Sequence, residues 1–206
     1  MSLLFTHNDA WSGGYYELVI RLPDASSLTV EKVITHLWAE PSLMGYYRRS
    51  DIEPSEQQKI AVYDISHQGH LYGVATLPNG KLCCCGAFWS DFEQNGCWLT
   101  FYLPLGSLAQ SYAIGGYPFG GANTPSPEQW INEINPLFVS IARSLYAQIQ
   151  FKVGMIGFDI DFYDVEAWLE SRIPSERWEG ILVPNRAELQ WYPPTIFEPQ
   201  YIMGTK

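Results

Sequence analysis

The chain has 206 residues, of which 47% are hydrophobic, 15% aromatic and only 17% charged. A soluble domain typically carries about 25% charged residues, so a chain this apolar and this rich in large side chains does not stay unfolded in water, and disorder is excluded. The 22 acidic and 12 basic residues leave a formal net charge of −10, and the longest basic run is Arg48-Arg49, which is no footprint for a polyanion; nucleic acid is not expected as a partner.

One α+β domain over 1–206 is the expected organisation, because folding as a unit buries more surface than two small domains would. Residues 15–22 (YYELVIRL) read as a strand. After Pro23-Asp24, the apolar residues Val30, Val33, Ile34, Leu37 and Trp38 recur at helical spacing. That predicts a helix near 29–38, capped by Ser27 or Thr29, with one stripe facing a core. Four runs follow, 59–65, 70–77, 81–89 and 97–103, divided by Gly69, Asn79-Gly80 and Asn95-Gly96. They predict an antiparallel meander over about 59–103. Asn79-Gly80 suits the two positive-φ positions of a type I′ turn, which places His70 opposite Trp89. Both faces of these runs carry large apolar groups, so the sheet is expected to be covered on both sides for part of its length. Cys83, Cys84 and Cys85 alternate between the faces as buried thiols, too few for a disulfide scaffold.

Residues 105–112 suggest a short helix, and the glycines and prolines of 113–125 fit no regular period. Ser126-Pro127-Glu128-Gln129 has the pattern of a capping box at the head of a helix near 127–150. Pro136 is expected to kink or split that helix, with Asn135 capping the second piece. Residues 154–162 read as a strand with Phe158, Ile160 and Phe162 on one face and Asp159 and Asp161 on the other. Asp164 is placed to cap a helix near 165–171. Strands near 179–183 and 187–192 close the chain, joined at Pro184-Asn185.

Gly157 to Phe162 (GFDIDF) resembles the end of the strand motif of chitinase-like glycoside hydrolases, in which aspartates alternate toward a catalytic glutamate. The resemblance implies an α/β barrel and sugar hydrolysis, but it covers six residues. Ile156 stands where the motif has its first acidic residue and Tyr163 where it has its proton donor. Without a carboxylic acid there, nothing protonates a leaving oxygen, and the assignment is rejected.

Asp159, Asp161 and Glu166 remain as the catalytic candidates of an alternative reading, a carboxylate- or metal-dependent hydrolase with 113–125 as its lid. The competing reading of the same carboxylates is a solvated sheet face. His67, His70 and the cysteines lack the spacing of a structural zinc site, and at most His70 and Cys97 would approach one another. The glycines at 115, 116, 120 and 121 match neither dinucleotide nor phosphate-loop patterns, and no nucleophile elbow is present. No cofactor is expected.

What remains is a surplus of aromatics: 8 Trp, 13 Tyr and 10 Phe. Trp11, Tyr46, Tyr47, Tyr117, Phe119, Trp178 and Tyr192 fall in segments that read as loops. Such rings either pin a loop to the body or are offered to a partner. The leading expectation is a protein-binding module whose acidic and aromatic surface engages a basic protein. Small, acidic and Trp-rich, it is similar in general character to toxin-neutralising immunity proteins. The opening residues carry no signal-peptide features, so the cytoplasm is the expected compartment and no membrane span is expected. A third reading is a self-associating structural protein, with the charge-free stretch 94–127 as a homodimer contact.

Overall fold

The computed structural model describes residues 3–60, 69–92, 96–114, 126–160 and 172–197. In chain order they form β1 (Tyr15–Arg21), α1 (Ser27–Leu37), β2 (Leu43–Tyr47), β3 (His70–Thr76), β4 (Leu82–Phe92), β5 (Gly96–Pro104), α2 (Leu105–Leu108), α3 (Glu128–Ile149), β6 (Val153–Phe158), β7 (Gly180–Asn185) and β8 (Glu188–Tyr192). The strands make one eight-stranded sheet of order β2-β3-β4-β5-β1-β6-β7-β8. Every neighbouring pair is antiparallel. The fold is α+β, as the sequence predicts, and the meander and the later strands share this one sheet.

Alternation decides which side chains meet the helices. On β1, Tyr16, Leu18 and Ile20 join Leu99, Phe101 and Leu103 of β5 in a large core with Val33, Ile34 and Leu37 of α1 and Ile134, Phe138, Ile141 and Leu145 of α3. Helix α1 starts at Ser27, and its cap is Ser26, one residue before the expected Ser27; the Ser26 hydroxyl accepts the Thr29 N–H at 3.2 Å. At the far end of α3, the Lys32 ammonium donates to the Gln148 carbonyl at 2.7 Å, a cation on the negative end of the helix dipole.

Pro136 does not split α3, which runs unbroken for 22 residues. Asn135 is therefore no cap. It is buried, and the Tyr16 hydroxyl donates to its Oδ1 at 2.5 Å, tying the middle of the helix to the central strand. The capping-box pattern is likewise reduced to one long bond, from the Glu128 N–H to Ser126 Oγ at 3.3 Å, with Pro127 as the cap residue.

Two turns differ from expectation. Leu77 N–H bonds to Lys81 O at 2.8 Å and Thr76 pairs with Leu82, so the β3–β4 loop holds three residues. Gly80 takes the left-handed conformation there (φ +80°), and the Asn79 side chain accepts the Lys81 N–H at 3.0 Å. This is the three-residue hairpin with a terminal left-handed glycine rather than a type I′ turn. The slip puts His70 opposite Phe88. Further on, β7 continues through Pro184 and Asn185, and the chain reverses at Arg186-Ala187, with Arg186 left-handed at φ +59°.

The strand expected over 59–65 is not seen in Lys59 and Ile60, and its remainder lies outside the described residues. The sheet edge beside β3 is instead β2, a short bulged strand. At its Gly45 (φ +107°) a side chain would run into the Tyr47 ring. Within the charge-free stretch, Cys97 to Pro104 of β5 lie in the sheet between β4 and β1 and are buried on both faces. Among the described residues no helix is long and apolar enough to cross a membrane. The helix near 165–171 falls outside them.

Candidate functional site

The face of the sheet turned away from the helices carries two separate covers. Over β2–β4, the segment before β1 inserts Phe5 and Ala10 among Tyr47, Val74 and Cys84. Over β1 and β5–β7, Ile160 joins Val19, Trp98, Val153, Met155 and Ile181. The first cover is held by Glu53, whose carboxylate accepts the N–H groups of Leu4 (3.1 Å) and Thr6 (2.7 Å) and the Thr6 hydroxyl (2.7 Å).

Tyr15, His70, Tyr72 and Phe88 are half-buried on this face. Beneath them, Tyr102 shares a 2.7 Å hydrogen bond with His70 Nε2. It reaches His70 because its opposite residue on β4 is Gly86, where a side chain would collide with the ring. Burial lowers the His70 pKa and raises that of Tyr102, so the imidazole is neutral and the phenol protonated at pH 7. Gly86→Ala is expected to displace the ring, cost about 1–3 kcal/mol and return the His70 pKa toward 6.5. Thermal unfolding and an NMR titration of the imidazole would read both effects.

Most of the loop aromatics expected at the surface are pinned. Trp11 donates its indole N–H to the carbonyls of Phe5 (3.0 Å) and Ser50 (3.1 Å) and packs edge-on against Phe5 and Tyr72. Tyr47 is buried and Tyr46 packs on Trp38 and the main core. Tyr192 packs against the Val19–Trp98 cluster. Trp178 differs: it is 42% exposed. Tyr117, Phe119, Asp161, Glu166 and His67 lie outside the described residues.

Glu179, the residue after Trp178, lies close to a second carboxylate, Glu17. Glu17 on β1 is directly opposite Gly157 on β6, and a side chain at Gly157 would lie 3.1 Å from Cγ of Glu179, the neighbour of Trp178. Two residues past Gly157, Asp159 is exposed and left-handed (φ +38°), a conformation aspartate tolerates better than most residues. That reversal ends the alternation expected through residue 162. Phe158 stays on the helix face against Tyr16 and Trp130, whereas Ile160 crosses to the opposite face.

Glu17 is the member that sequence reasoning missed. It is 8% exposed, and its Oε1 accepts the Ile160 N–H at 2.7 Å. Burial pushes its pKa up to about 7; the Ile160 bond opposes the rise and the charge of Asp159 adds to it. The signal was present in the alternation of YYELVIR, which puts Glu17 in register with Val19 on a central strand.

Cys97 lies in the helix-side core and His70 on the opposite face, so they do not converge. Burial raises the pKa of Cys83, Cys85 and Cys97 and pushes that of Cys84 up to about 12, which leaves the thiols protonated and unreactive. Among the described residues no group of three or more His, Cys, Asp or Glu side chains is arranged to hold a metal ion. No family model, curated protein or solved structure matches the chain.

Proposed function

We propose that the protein is a binding module that engages, and inhibits, a basic partner protein through a surface that includes the exposed Trp178 and Asp159. The observation that supports this reading is the exposure of Trp178, a large ring left in solvent on a segment that continues into Glu179. An exposed tryptophan supplies contact area at little rotamer cost, and interface energy concentrates on such residues. The exposed Asp159 and the net charge of −10 steer a cationic surface toward it.

Immobilised protein is expected to retain from source-cell extract a partner of pI above about 9 at about 50 mM salt and to release it at about 500 mM. Trp178→Ala and Asp159→Asn are each expected to lower recovery at least about tenfold; asparagine preserves the left-handed backbone while removing the charge. Recovery indifferent to salt and to both substitutions overturns the reading, as does recovery of nothing.

A further inference from the structure

We propose that a cavity on the helix side of the sheet, between α3 and β8, is a binding site for a small ring-bearing carboxylate. The cavity holds about 400 Å³, which suits a single substituted ring. Its flat walls are Trp191, Pro136 and Pro193, and its polar groups come from Asn132, Asn135, Ser140 and Arg143. These positions follow from helical spacing: residues 132, 136, 140 and 143 fall on one stripe of α3. Trp191 lies across Gly180 of the neighbouring strand, where a side chain would collide with the indole.

The charge of the lining is what selects an anion. The chain carries ten more acidic than basic residues, yet none of the described residues lining this cavity is acidic. Arg143 is exposed and, among the described residues, makes no hydrogen bond or ion pair; the Trp191 indole N–H and the Asn132 and Ser140 side chains likewise have no partner among them. An adjoining cavity on the other side of Arg143 is lined by Glu188, but the two side chains form no ion pair. The cavity therefore offers free donors around one free guanidinium. A guanidinium fork pairs with a carboxylate through two parallel hydrogen bonds. Amide and hydroxyl groups take up further oxygens, and the indole and proline rings cover an apolar or hydroxylated ring face.

This site is on the opposite face of the sheet from Glu17 and does not depend on the proposed partner. NMR titration of the purified protein with sodium benzoate and with sodium glucuronate separates an aromatic acid from a sugar acid. Benzyl alcohol, glucose and sodium acetate serve as counterparts lacking the charge or the ring. One of the two acids is expected to shift the Trp191 indole N–H and the Arg143 Nε–H resonances saturably, with a millimolar dissociation constant. Its neutral counterpart and acetate are expected to bind at least about tenfold more weakly. Arg143→Gln, at an exposed position that the fold does not need, is expected to abolish the preference for the acid while Trp191 keeps its native resonance. The proposal is overturned if neither acid gives a saturable shift, if the neutral compound or acetate binds as well, or if the preference survives Arg143→Gln.

Discussion

Replacing Glu17 by glutamine is expected to stabilise the protein by about 3 kcal/mol at pH 8 and to leave its stability nearly unchanged at pH 4. The folded chain holds the Glu17 proton to about pH 7, whereas the unfolded chain releases it near the ordinary value of 4.5. A carboxyl whose pKa is raised on folding contributes its stability fully below the unfolded value. That contribution is lost as the pH rises from about 4.5 to about 7, and above it the native state carries a buried charge. Glutamine keeps an oxygen to accept the Ile160 N–H and has nothing to ionise, so wild type and variant should diverge through that window. Urea unfolding at pH 4, 6 and 8 measures the divergence. Parallel pH profiles would show that Glu17 is ionised in the native state at neutral pH, against the burial argument.

Phe138→Ala is expected to cost about 3–5 kcal/mol. Phe138 is fully buried; its ring stacks on Tyr16 at 5.6 Å and meets Phe101 edge-on at 5.6 Å. It thereby joins α3 to the two central strands, β1 and β5. Neighbours fixed on a sheet cannot close over the space a lost ring leaves, so the cavity penalty adds to the lost transfer free energy. The expected signature is a lower urea midpoint with an unchanged denaturant slope. A loss below about 1 kcal/mol would mean that α3 repacks on the sheet more freely than this interface implies.

The elements that depend on period alone were legible before any coordinates. The stripe of α1, the apolar face of α3 and the strands β1 and β3–β8 follow from spacing, because burial on one face leaves a direct trace in residue type. What was not legible depended on single residues whose setting is tertiary. Pro136 reads as a helix breaker, yet the packing of α3 on the sheet outweighs the lost bond. The edge strand β2 is five residues long with a bulge and offers too few alternations to be seen. Asn79-Gly80 signals a turn but not its length, and one residue of loop changed every partner of His70.

The site divides in the same way. Trp178 was singled out from composition and local context and is exposed, whereas Trp11, Tyr46 and Tyr47 are pinned by hydrogen bonds and ring contacts that come from distant parts of the chain. Asp159 was visible as an acidic residue on a strand. Glu17 became part of the same cluster only when β1 and β6 were known to be neighbours, since no local pattern specifies that pairing.

The central position of β1 also bears on how the protein is made. Its two flanks are completed by β5 and β6, whose residues leave the ribosome long after Arg21. At about 5–20 residues per second, the nascent strand waits roughly 7–30 s for its second neighbour. Throughout that interval YYELVIR is a hydrophobic ribbon with at least one unmatched edge, the kind of segment that draws chaperones during translation or seeds aggregates when they are scarce.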